Sequence, residues 1–290
     1  MKTKSALLIA AAAALGACGG QPEAPAPAPT PLGYSVPAMN PVVYASNDTA
    51  RINIEVQPGM GMEQTMGQNS TVRLSFAPAA SGNGDLTVTA TWVDFNAFME
   101  SAMMPRQDVG MDALAGDFTL NLTPEGEVEQ VSGPELPEAV QELSMGGDNM
   151  FTDFFLRLPN RVVQPGESWT DTIRVESENE GARSVNEIVI ASTLRGDTMV
   201  AGRRLWVIAS TKASSLRVEG NMQGMDMSNE LSGTITQTSL WDPARRVLHS
   251  SHSTGSMTGV LNVPNAGMND IPISVNNTRH ITLVESTQAD

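Results

Sequence analysis

Val72-Arg73-Leu74-Ser75-Phe76 and Leu86-Thr87-Val88-Thr89-Ala90-Thr91-Trp92 alternate apolar and polar residues without a break. Period two is the repeat of an extended chain, in which successive side chains point to opposite faces. Ser81-Gly82-Asn83-Gly84 between them is turn chemistry. The stretch therefore predicts two half-buried antiparallel strands with one face on a core.

The same alternation recurs on both sides of this hairpin. It returns at Phe118/Leu120/Leu122, Ile173/Val175, Ile188/Ile190, Leu205/Val207, Leu231/Ile235, Leu261/Val263, Ile271/Ile273/Val275 and Ile281/Leu283. Two stretches depart from it. Phe95 to Met104 carries apolar residues at helical spacing, which predicts a short helix near 95–104. Leu136, Val140 and Leu143, followed by Phe151, Phe154, Phe155 and Leu158, predict a helical region over about 135–157, stopped by Pro159.

Asp48-Thr49 and Asp171-Thr172 each open a strand-rich stretch, and the run from Gly116 resembles the run from Gly233. The expected fold is mainly β, of the α+β class, with two similar antiparallel curved sheets joined by a central helical segment. Its parts are a first half over 34–133, a helical connector over 134–159 and a second half over 160–290.

The chain begins differently. Lys2 and Lys4 precede a short apolar run from Ala6 to Ala14, ending in Leu15-Gly16-Ala17-Cys18. A positive start, an apolar stretch and small residues are the parts of an export signal, here 1–17, and the run is too short to span a bilayer. From Gly19 to Pro31, proline at nearly alternate positions favours extended polyproline II. Residues 18–33 then act as anchor and spacer, with a reach of about 40 Å.

Leu15-Gly16-Ala17-Cys18 resembles the bacterial lipoprotein signal, whose core is Leu, two small residues and Cys. The resemblance implies cleavage before Cys18, a thioether-linked lipid on it and acylation of its new amino group. Several acyl chains anchor a protein where one does not. Gly19 and Gly20 in place of Asp favour the outer membrane. Cys18 is the only cysteine, so a lipidated chain has no thiol left for a disulfide, a metal or a nucleophile.

Farther on, Phe118-x-Leu120-x-Leu122-x-Pro124-x-Gly126-x-Val128, then Leu158-Pro159, then Val163-x-Pro165-Gly166-x-Ser168-Trp169 resemble a family of exported bacterial proteins of uncharacterised function. That resemblance spans about 48–287. It implies a β-rich fold in two parts and brings no catalytic residue.

The formal charge of −15 opposes nucleic acid and anionic headgroups, so no nucleic-acid partner is expected. Gly-x-Ser-x-Gly, His-Glu-x-x-His and phosphate-cradling glycine loops do not occur, and the carboxylates are scattered. The chain reads as non-enzymatic, with no cofactor.

Methionine is the distinctive residue, at 17. Met60, Met62 and Met66 form one cluster and Met222, Met225 and Met227 another. In strand register Met60, Met62 and Met66 share the face of Val72, Leu74 and Phe76, and Met225 and Met227 share a face with each other. As core or groove lining, Met60, Met62, Met66, Met225 and Met227 would suit a lipid or other apolar ligand, or an envelope partner. The alternative is a Cu(I) site, since thioethers are soft ligands. His249 and His252 fall on opposite faces of a strand, and His280 on the face away from Ile281 and Leu283, so no metal site is expected from histidine.

Lipidation has a direct test. Cys18→Ser moves the chain from the membrane to the soluble fraction and removes the acyl mass from its N-terminal peptide. Unchanged fractionation would contradict the assignment.

Overall fold

The computed structural model describes residues 30–57, 60–114, 116–134, 151–179, 181–222 and 225–284. They form one antiparallel sheet of twelve strands. The first group is β1 (Val42–Gln57), β2 (Met60–Pro78), β3 (Leu86–Ser101), β4 (Gln107–Gly110), β5 (Asp117–Leu122) and β6 (Val128–Ser132). The second is β7 (Ser168–Asn179), β8 (Ala182–Val200), β9 (Arg203–Met222), β10 (Met225–Asp242), β11 (Val247–Val263) and β12 (Met268–Val284). The spatial order is β6-β5-β3-β2-β1-β12-β11-β10-β9-β8-β7, with β4 on the lower part of β3.

The chain is thus mainly β, as its alternation predicts. It forms one sheet where two were expected. The seam is β1 against β12, paired from Val43↔Val284 to Ile54↔Ile273. Alternation specifies which face a strand buries. It does not specify its neighbour, and here the first and last long strands lie side by side.

The helix expected near 95–104 is the lower part of β3. Thr71 pairs with Asp94 but Val72 pairs with Trp92, so Val93 is an extra, bulged residue. A bulge reverses the side-chain alternation beyond it. Leu86, Val88, Ala90 and Trp92 face inward before it, and Phe95 and Ala97 after it. Phe98 lies on the other side over Gly67, where a Cβ would come within 2.3 Å of its ring. The broken parity produces the false helical spacing.

The helix expected over 135–157 is not supported. Residues 135–150 lie outside the described part of the chain, and the described remainder is a tight turn and irregular backbone. Phe154 N–H donates to the Phe151 carbonyl (3.0 Å), and Leu156 N–H donates to the Tyr34 hydroxyl (2.8 Å). Phe151, Phe154, Phe155, Leu156 and Leu158 of this strap are all buried, and Asp153 among them meets Lys212.

The strap is the centre of the core. Phe151 stacks on Trp92 (5.6 Å) and meets Phe118 edge-on, and Phe154 meets Tyr44. Tyr34 lies between Phe155 and Trp241. Both tyrosines of the chain are in this knot. Such offset and edge-on pairs add to the gain from burial.

Both ends of the sheet reach the same connector. Leu158 N–H donates to Glu125 O in the β5–β6 turn (2.8 Å), and Gly166 N–H donates to Leu194 O in β8 (2.7 Å). Leu32 and Arg161 form an isolated bridge alongside. The sheet therefore curls around the connector and has an inner face, which holds the knot, and an outer face. Gly126 is required at this closure: its φ is +90° and a Cβ would lie 2.0 Å from the Leu156 carbonyl oxygen. A second obligatory glycine is Gly259 on β11, where a Cβ would lie 1.7 Å from the Glu230 carbonyl oxygen of β10.

Phe151→Ala removes the ring at the middle of the knot. The expected cost is about 3–5 kcal/mol in urea unfolding, the usual range for a fully buried phenylalanine. A change below about 1 kcal/mol would show that the strap is not part of the cooperative core.

Candidate functional site

Directly paired residues of neighbouring strands share a face, so the inner face can be read as rows across the sheet. Next to the aromatic knot is a polar row: Ser192, Ser210, Gln237, Ser253, Arg279, Asp48 and Gln68. Ser192 and Ser210 are hydrogen bonded (2.8 Å), Gln237 donates to Ser251 (2.7 Å), and Ser46 bonds both Asp48 and Ser70.

This row clamps the strap. Lys212, only 7% exposed, donates to the Asp153 carboxylate. Arg279 pairs with Asp48 (3.0 Å) and donates to the Asp153 carbonyl (3.3 Å). Burial pushes the Asp153 carboxyl up, but Lys212 and Arg279 outweigh it and hold it below the usual carboxylate range. Burial wins at Asp48, whose carboxyl is raised despite Arg279. Lys212 is inward on β9 with Ile208, Ser210 and Ser214, against the parity of the Leu205/Val207 pair read from the sequence. Its partner Asp153 lies 59 residues away in irregular chain, where no pattern marks it.

Beyond the clamp the inner face becomes apolar again. From β7 to β2 one row reads Val175, Asn186, Leu216, Leu231, Gly259, Ile273, Ile54 and Met62. The row beside it reads Ile173, Ile188, Ser214, Gly233, Met257, Val275, Ile52 and Gln64. Leu231, Ile273 and Val275 are buried, with Ile52, Ile54, Leu216 and Met257 half-buried against them. Ile173, Ile188 and Ile190 form a neighbouring cluster with Val175. At about 4.8 Å per strand, the strip is roughly 33 Å wide. It is separate from the aromatic core.

The sequence-predicted methionines lie at this end of the sheet. Met66 is buried and pairs with Ala50 and Met99, and half-buried Met62 pairs with Ile54. Met227, half-buried, pairs with Gly220 and has the inward parity of Leu231. Met60 and Met225 are the first residues of β2 and β10. The two clusters are thus brought to one end of the sheet but not to one point, because β1, β12 and β11 separate β2 from β10. That is about 19 Å. Along β2 itself, Met60 and Met66 are about 20 Å apart, so the first cluster is spread along a strand and not gathered round one ion. Cys18 lies outside the described residues.

His252 and His280 face each other across β11 and β12 on the outer face, with ring centroids 6.0 Å apart. Alternation assigns each its side but not this pairing. His249 is the extra residue of a bulge on β11, and burial lowers its pKa. Among the described residues no group of three or more His, Cys, Asp or Glu is placed to hold a metal ion.

Two surface clefts lie elsewhere. One, about 390 Å³, is lined by Arg174, Arg183, Arg217 and Glu187, Glu219 and Glu230. Its charges are paired with one another, Arg174 with Glu187 (3.0 Å) and Arg217 with Glu230 (3.1 Å). The other, about 610 Å³, lies beside the β5–β6 turn, where Arg157 sits near Glu127 (3.4 Å). The first is balanced in charge, and the second sets Asp85, Glu127 and Glu129 against Arg157.

No family model matches the chain, and no curated protein does. A solved structure, DynF from the dynemicin biosynthesis pathway of Micromonospora chersina, is similar over 93% of this chain and 96% of its own. The identity is 14% and the TM-score 0.24, a likeness too slight to carry any argument.

The clamp has a clear signature. Lys212→Met leaves Asp153, whose side chain is 38% exposed, with Arg279 as its nearest cation, and should cost roughly 1–3 kcal/mol at neutral pH. Asp153 has a lowered pKa, so its contribution is full above the ordinary aspartate range and fades as pH falls through the lowered value. Asp153→Asn should therefore flatten the acid side of the stability–pH profile. An unchanged profile would count against the clamp.

Proposed function

We propose that this chain is a lipid-anchored, exported envelope protein, non-enzymatic, whose inner apolar strip binds a lipid or another apolar molecule. The observation that carries the reading is the second apolar region of the inner face. The aromatic knot already supplies a core, and the clamp closes it off. Yet the long strands continue with Leu, Ile, Val and Met facing inward for several more rows.

Methionine supports the same reading. Its unbranched, polarisable side chain conforms to ligands of varied shape. The tether supports it too. Leu32 and Tyr34 are bonded to Arg161 and Pro124 at the end of the sheet away from the methionines. A chain anchored through Cys18 to the outer membrane would hold the strip at its far end.

Native mass spectrometry of the full Cys18→Ser chain, purified from cells and then delipidated, tests the reading. A retained or re-bound apolar molecule is expected. The half-buried positions Ile54→Gln and Met257→Gln should weaken uptake at least about tenfold with unchanged circular dichroism, since each removes about one buried apolar contact. No retained molecule and no uptake would overturn it.

A further inference from the structure

His252 on β11 and His280 on β12 are directly opposite each other on the outer face, with ring centroids 6.0 Å apart and planes inclined by 82°. They are two of the three histidines in the chain. Alternation separates His252 from His249, and strand register brings it to His280 instead. Thr238 and Asn47 flank the pair in its row. The rows on either side read Leu240, Ser250, Thr282 and Ala45, and Thr236, Thr254, Thr278 and Thr49. None of these carries a charge, so no ion pair with them accounts for the two rings. Two protonated imidazoles directly opposite repel, whereas two neutral ones offer nitrogen lone pairs to the same space.

We propose that His252 and His280 hold a divalent transition-metal ion on the outer face, with water completing its shell. An imidazole nitrogen binds at about 2.0–2.1 Å, so a ring centre lies about 3.2 Å from its ion, and two rings on one ion are roughly 4.5–6.4 Å apart. The 6.0 Å between His252 and His280 is within that span. Both side chains are exposed, so packing locks neither ring. Thr282 Oγ1 is 3.1 Å from His280 Nε2. Donation from Nε2–H to that hydroxyl leaves the lone pair on Nδ1, and such an outer hydrogen bond is what a ligating histidine ordinarily makes. Imidazole suits Cu(II), Ni(II) and Zn(II), and Cu(II) binds tightest of the three. The strongly acidic chain draws cations to its surface. Two protein ligands are fewer than a structural zinc site uses, so the ion is exchangeable. The donors are nitrogens on the outer face, so the site is distinct from a thioether Cu(I) cluster and independent of the apolar strip.

Titration calorimetry of the full, untagged Cys18→Ser chain with Cu(II), Ni(II) and Zn(II), and electron paramagnetic resonance of the Cu(II) form, test this. Binding tightest for Cu(II) is expected, with the hyperfine pattern of two bound nitrogens. A hydrogen-bond partner of a ligand is worth about 10- to 100-fold in metal affinity, so His252→Ala and His280→Ala should each weaken Cu(II) binding at least about tenfold. Both variants should keep the parent's circular dichroism, and His249→Ala should keep its Cu(II) affinity. No uptake by the parent, undiminished binding in the variant lacking both His252 and His280, or an equal loss in His249→Ala would overturn the proposal.

Discussion

The pairing of β1 with β12 is the constraint on which the rest of the structure depends. It joins the strands of the two halves into one sheet and places the first long strand in the middle of it. Because β1 has β2 on its other side, the row from Met62 through Ile54 to Ile273 is continuous. So is the charged run from Asp48 to Arg279. Pairing residues this far apart closes a very long loop, which is entropically costly and slow to form. The aromatic knot offsets that cost, because Phe151, Phe154 and Phe155 pack on rings of the first half and Tyr34 carries the cluster on to Trp241 of the second.

Polar and apolar rows divide the inner face by function. Lys212 and Arg279 meet the strap through Asp153, and the serines and Gln237 satisfy one another beside it. A charge pair this close to the interior adds little net stability over a well-packed apolar pair. What it does is hold Asp153 of the strap against β9 and β12. Past that line the strands keep their apolar parity, and among the described residues their side chains pack against one another and not against the strap. That is why the methionine-rich end of the strip is read as a ligand surface and the knot is not.

Much of this was legible in the residues. Period two marked the strands from Val72 through Leu283 and set the inward face of Met62 and Met66. It failed where local geometry reversed the parity, as at the Val93 bulge, which made Phe95 to Met104 read as a helix. It also could not supply strand neighbours, so one sheet was read as two. The strap from Phe151 to Leu158 has helical spacing because Asp153 and Arg157 interrupt its buried residues, not because it is a helix. Within the candidate site, the methionines stand out by composition.

The inner strip is the one surface proposed to receive an apolar molecule. A photoactivatable long-chain alcohol, crosslinked to the full chain and mapped by peptide mass spectrometry, tests it most directly. Adducts are expected on inward residues of β9 to β12, such as Leu216 and Met257. Adducts confined to the outer face, or to the polar clefts at Arg157 and Arg217, would contradict it.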